Sequence, residues 1–218
     1  MAFTRNGYGQ VEPNQLSAQK TGQIYASLPL DTAVDVLQNG EFMYYDYASG
    51  KVSADDSTGV AEPMLVFNEI KLYEPFWRTS YKDFAMIRVN HTNPTTGVVT
   101  KGENYVTSDL ATQRYGDGAD NTGVAANPAH TEYPYRMDGF APRLFKTNIG
   151  DIMTTNMVKT GSAVTYTVGD KLVPVKNTTT NTLQLEADNT ATTGMIWVVV
   201  KVYTMPDGQP GLKLQRVQ

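Results

Sequence analysis

The clearest pattern in the chain lies near its C-terminus, where Met195 to Tyr203 is an almost unbroken series of apolar, β-branched and aromatic residues. Alternation sends Ile196, Val198, Val200 and Val202 to one face and Trp197, Val199 and Tyr203 to the other, which predicts a strand covered on both sides. Met205 to Gly211, with Pro206, Gly208 and Pro210, predicts a turn, and Leu212 and Leu214 then alternate with Lys213 and Gln215 on a return strand. An antiparallel hairpin over roughly residues 195–217 follows. Upstream, Gly150-Asp151 and Gly169-Asp170 each close a turn before an apolar run, so the segment from Arg143 to Gln218 is the best-defined β part of the chain.

The same style recurs in the first third. Ile24 to Leu30 carries apolar residues on one phase, with Pro29 suited to an edge because it cannot donate to a ladder. Asp31 to Leu37 reads as a short helical turn with Asp31 as N-cap and Ala33, Val34 and Leu37 beneath it. Asn39-Gly40 is a strong turn signal, since both residues tolerate positive φ, and the aromatic run Glu41 to Tyr47 predicts a strand. Turns at 48–51 and 57–59 precede Val52 and the strand Met64 to Phe67, and short strands continue over Ile70 to Trp77 and Phe84 to Val89. Strands and turns at this spacing predict an all-β domain, an antiparallel β-sandwich or barrel, over residues 24–218.

Two segments break the pattern. Residues 1–23 are polar and rich in Gln, Gly and Asn, with Tyr8, Val11 and Leu16 too widely spaced for a helical face or an alternating strand, which predicts an extended N-terminal arm. Residues of about 90–139 are crowded with Gly, Asn and Pro and poor in apolar residues, which predicts a long loop-rich excursion with one strand near Asn104 to Thr107. Long excursions of this kind often carry binding contacts, and Tyr105, Tyr115, Tyr133 and Tyr135 are suited to anchor an interface.

With 218 residues and 40% hydrophobic composition the chain can bury a full core. Its charged fraction of 18% and net charge of −4, without any Lys/Arg block, argue against nucleic acid as a direct partner. Cysteine is absent, which removes disulfides, thiolate metal sites and cysteine nucleophiles. The first ten residues do not resemble a signal peptide, so synthesis and folding in the cytoplasm are expected. The apolar run at 195–200 is far too short to cross a bilayer as a helix, so no membrane association is expected.

Candidate chemistry is sparse. The two histidines, His91 and His130, lie in the excursion without a nucleophile elbow or paired metal-ligand spacing, and they read as exposed loop residues. Asp117-Gly118-Ala119-Asp120-Asn121 has the composition of a calcium loop but lacks its distal Glu, and it reads as a turn. Asp55-Asp56 reads as a solvated loop pair, since glycoside hydrolysis needs two acids facing one groove. Gly7-Tyr8-Gly9 lacks the strand and helix of a dinucleotide fingerprint. No catalytic, cofactor-binding or metal-binding residue is therefore assigned, and the protein is expected not to be an enzyme and to need no cofactor.

The texture of Leu37-Gln38-Asn39-Gly40-Glu41-Phe42, of Lys82-Asp83-Phe84-Ala85, of the two Gly-Asp turns and of Val200-Lys201-Val202-Tyr203-Thr204-Met205-Pro206-Asp207-Gly208-Gln209 resembles small head proteins of tailed bacteriophages that decorate or cement capsids. The resemblance covers most of the chain in style and carries over no functional residue. It implies a virion structural protein on the capsid surface, made in the host cytoplasm, with the major capsid protein and copies of itself as partners in a homo-oligomer. Another virion component, such as a tail or head-tail protein, is the nearest alternative. A carbohydrate-binding module is a third, suggested by the tyrosines and by Trp77 and Trp197.

Overall fold

The computed structural model describes residues 3–5, 9–31, 33–34, 36–68, 86–92, 99–106, 141–205 and 208–218, with 86–92 and 99–106 as backbone. Val11–Gln15 (β1) is followed by the helix Ser17–Thr21 (α1) and by Ile24–Tyr25 (β2). Val36–Gln38 (β3), Phe42–Asp46 (β4), Lys51–Ser53 (β5) and Met64–Val66 (β6) come next, then Met86–Thr92 (β7) and Val99–Val106 (β8). Leu144–Phe145 (β9), Ile152–Thr155 (β10), Lys171–Asn177 (β11), Thr182–Ala187 (β12), Trp197–Thr204 (β13) and Pro210–Arg216 (β14) form the C-terminal part. The expected all-β class is the one observed.

Eleven strands form one antiparallel sheet that curls into a half-barrel, in the order β1-β10-β14-β13-β11-β12-β4-β6-β9-β2 with β5 added to β4. β3, β7 and β8 make a second, three-stranded antiparallel sheet. Two cores flank the central strands, and period-two alternation decides which residue enters which. Phe42, Leu65 and Phe145 pack into the larger core with Trp197, Leu172 and Leu185, whereas their neighbours Met43, Val66 and Leu144 pack into a smaller core with Leu37 and Val52. β4, β6 and β9 are thus a wall buried on both faces, which is why they are apolar and aromatic apart from Asp46 at the end of β4.

The two Gly-Asp turns have one geometry. Gly150 and Gly169 sit at φ +95° and +96°, in the left-handed region that a side chain disfavours. In each turn the aspartate carboxylate accepts the backbone N–H three residues earlier, from Asn148 at 2.9 Å and from Thr167 at 2.7 Å. Asp151 does more. It accepts Ser17 N–H at 3.0 Å and the Ser17 hydroxyl at 2.9 Å, and so supplies the cap that Leu16, at the helix N-cap position, cannot.

The hairpin β13–β14 forms as expected, with Leu212 and Leu214 buried. The facing of β13 does not. A bulge between Val199 and Lys201 shifts the phase by one residue, so Trp197, Val199 and Val202 pair in register with Arg216, Leu214 and Leu212. Lys201 and Tyr203 come to the opposite face, and Val200 and Val202 remain 44% and 41% exposed rather than covered. Of the expected helical turn at 31–37 only the first part forms, with Val34 N–H donating to Asp31 C=O at 3.1 Å. Asp31 Oδ1 does accept Ala33 N–H at 2.9 Å, but the chain then enters β3 with Val34 and Leu37 buried. The strand expected near Asn104 begins earlier, at Val99.

Residues 3–5 and 9–23, expected as part of an extended arm, pack against the domain. β1 pairs with β10, Phe3 bridges Gly161, and Phe3, Leu16 and Ala18 are buried in the larger core. The Phe3 ring meets Tyr166 edge to face at 5.2 Å, and the Tyr166 hydroxyl donates to Lys159 C=O at 2.8 Å. Each apolar residue enters the core at a different place, so the segment needs no periodic pattern to be held. Truncating Asp151 to Ala removes three charge-assisted bonds from a buried carboxylate and is expected to destabilise the fold by about 2 kcal/mol in urea unfolding. Gly169→Ala, with open space around its Cβ, should cost only about 1 kcal/mol through backbone strain.

Candidate functional site

The densest polar structure in the described chain is buried, and it lies around the β3–β4 turn. Gly40 adopts φ +94°, and a Cβ there would stand 2.6 Å from Met157 Cβ and 2.7 Å from Val11 Cγ2. The turn therefore needs glycine for both conformation and space. Glu41 follows it at 1% exposure. Its Oε2 accepts Gln38 N–H at 2.8 Å, and its Oε1 accepts the Thr182 hydroxyl at 2.9 Å from β12.

From this carboxylate the network reaches the N-terminal segment. Gln38 Oε1 accepts Gly9 N–H at 2.8 Å, while Arg5 Nη1 lies 2.8 Å from Met157 Sδ. Gln10 N–H donates to Asn156 Oδ1 at 2.7 Å, and Gln10 C=O accepts the Thr155 hydroxyl at 2.7 Å. Burial pushes the Glu41 carboxyl up to about 8, against the pull of its bonds from Gln38 and Thr182 and of the Arg5 charge. Burial likewise lowers Arg5 from its ordinary value, with Glu41 opposing.

The same turn reaches the base of the long insertion. The Asn39 amide donates to Asn68 C=O at 2.8 Å, and Asn39 Oδ1 accepts Asn68 N–H at 2.8 Å, a two-point clamp on the backbone of one residue. Asn68 Oδ1 accepts Arg143 N–H at 3.2 Å, and Phe67 N–H donates to Arg143 C=O at 3.2 Å. Residues 68 and 143 are thereby held side by side, where the chain leaves the half-barrel and where it returns. No residue of this junction stands out in the sequence beyond the Asn39-Gly40 turn, because its partners lie up to 141 positions away.

An open groove of about 560 Å3 is lined by Tyr44, Glu62, Pro63, Val173, Pro174 and Met195, with Arg216 and Gln218 at one end. The Arg216 guanidinium is buried and committed: it donates to Gln218 C=O at 2.9 Å, to the Thr147 carbonyl and hydroxyl, and to Glu62 Oε1. Burial, then the charges of Asp56 and Asp55, raise the Tyr44 phenol above its ordinary value, so it stays protonated. The groove is shaped, but its charged groups hold the fold together.

The residues singled out from sequence are dispersed. Asp55 pairs with Lys176 at 2.6 Å, and Asp56 accepts Thr58 and Ala61 N–H groups in its own loop. Trp197 is fully buried against Phe42, with ring centroids 6.0 Å apart, which removes it as a glycan platform. His91 and Tyr105 fall in β7 and β8, described as backbone, while Gly7, Tyr8, Trp77, Tyr115, Asp117 to Asn121, His130, Tyr133 and Tyr135 lie outside the described residues. Among the described residues no helix is long and apolar enough to cross a membrane, and no cluster of three or more His, Asp or Glu could hold a metal ion. Comparison with protein-family models, curated proteins and solved structures returns no match.

The buried carboxylate sets a pH dependence whose sign is determined. A carboxyl raised to about 8 in the fold contributes stability that is complete below the ordinary Glu range and is lost as pH rises toward 8. Thermal unfolding should therefore weaken from about pH 5 to about pH 8, by on the order of a few kcal/mol. Glu41→Gln, which keeps the shape and removes the titration, is expected to flatten that profile and to raise Tm at pH 8. An unchanged slope in the variant would show that other groups set it.

Proposed function

We propose that this protein is a virion structural protein that binds the outside of a tailed-bacteriophage capsid and cements or decorates the junctions between shell subunits. The observation that carries the reading is the junction around Glu41 and Asn68. It ties the N-terminal segment, the half-barrel and the chain at residues 68 and 143 together, as suits a protein working through extended contacts. The central strands, buried on both faces, add stiffness to the domain. Resemblance in the Leu37 to Phe42 and Val200 to Gln209 segments supplies the virion context.

The mechanism is linkage. A domain that binds assembled subunits across a junction, and separated subunits poorly, stabilises the assembled state by RT ln(1 + [L]/Kd). The partners are then the major capsid protein and copies of this chain, and a closed homo-oligomer at a shell symmetry axis is the natural arrangement. Incubation of the purified protein with undecorated shells should give saturable binding and a higher shell melting temperature. Assembly into rings or tubes without shells would instead favour a tail or head-tail role.

A further inference from the structure

The bulge in β13 has a consequence on the outer face of the sheet. By moving Lys201 into register opposite Lys213, it places two ammonium groups on directly paired positions of adjacent strands. The register continues from Lys213 to Thr154 and from Thr154 to Glu12, so one row crosses β13, β14, β10 and β1. With Asn14 and Tyr203 these residues line a shallow hollow of about 220 Å3.

Like charges directly opposite each other destabilise a strand pair, and the one carboxylate that lines the hollow, Glu12, stands two strands away from Lys213. Among the described residues neither lysine has a carboxylate within ion-pair distance, although Lys213 is only partly exposed. The Lys201 ammonium lies 5.8 Å from the centre of the Tyr203 ring, a weak substitute for a counter-ion. Asn14 Oδ1 is occupied by the Thr154 hydroxyl at 2.6 Å, which leaves the Asn14 amide as a donor on the same hollow.

We propose that this hollow is a docking site for a carboxylate side chain of a partner protein, seated between Lys201 and Lys213 with the Asn14 amide as a third donor. Charge complementarity selects the occupant. The hollow brings two positive side chains together on a chain of net charge −4 and has room for a side-chain carboxylate. Glu12 on its rim repels polyanions, which disfavours a phosphate backbone or a densely sulfated glycan and leaves a single carboxylate as the best fit. The assignment of that carboxylate to a shell subunit rests on the capsid reading above, but the chemistry of the hollow does not.

The protein is titrated with a blocked peptide carrying one glutamate (acetyl-Gly-Glu-Gly-amide) at low and high salt, and amide and side-chain chemical shifts are followed. The site predicts saturable shifts confined to Asn14, Thr154, Lys201, Tyr203 and Lys213, weakened at least fivefold between about 50 and 200 mM salt. Lys201→Gln with Lys213→Gln, which relieves repulsion and should not destabilise the fold, is expected to weaken binding at least tenfold. Shifts elsewhere, or affinity unchanged in the double variant, would overturn the proposal. So would tighter binding of a heparin hexasaccharide, which would assign the hollow to a sulfated glycan. Shell binding that survives in a double variant unable to bind the glutamate peptide would overturn only the link to the shell subunit.

Discussion

Everything in this fold leans on one buried turn. Gly40 has no room for a side chain and holds a backbone conformation that other residues avoid, and the residues on either side of it reach in three directions. Gln38 holds Gly9, Asn39 grips the backbone of Asn68, and Glu41 bonds Thr182 across the sheet. Each bond satisfies a group that burial would otherwise leave without water, which is why the cluster is costly to disturb. A carboxyl kept largely neutral by that burial is the price of the arrangement.

This constraint ties the half-barrel to the segments around it. Strands β4, β6 and β9 separate two cores, and the junction sits where that wall meets the N-terminal segment and the insertion base. On the capsid reading proposed above, the protein needs elements that do not yield when the shell pulls on them. Packing alone resists shear poorly at a sheet edge, whereas short bonds from Asn39 and Asn68 fix the exit and return of the chain to within one peptide. The outer face of β13 and β14, with its facing lysines, backs onto the larger core through Val199, Leu212 and Leu214.

Much of the architecture was legible because its causes are local. The β13–β14 hairpin follows from alternating Leu212 and Leu214 behind a Pro/Gly turn, and the Gly-Asp turns follow from a positive-φ glycine beside an aspartate that closes its own loop. What was not legible depends on partners far along the chain. The bulge after Val199 is set by pairing with β14, and no feature of the β13 sequence alone would displace Val200. Phe3, Leu16 and Ala18 look isolated because each fills a different part of the core. Glu41 reads as an ordinary charge beginning a strand until Thr182 and Arg5 are brought to it.

Native-state hydrogen exchange tests the central claim, that the junction makes the N-terminal segment, the insertion base and the half-barrel one cooperative unit. The amides of Gly9, Gln38, Asn68 and Arg143 should exchange only through global opening, with the same free energy and denaturant dependence as those of Leu185 and Val199 in the core strands. Exchange of those four amides at much lower free energy, while the core strands stay protected, would contradict the account.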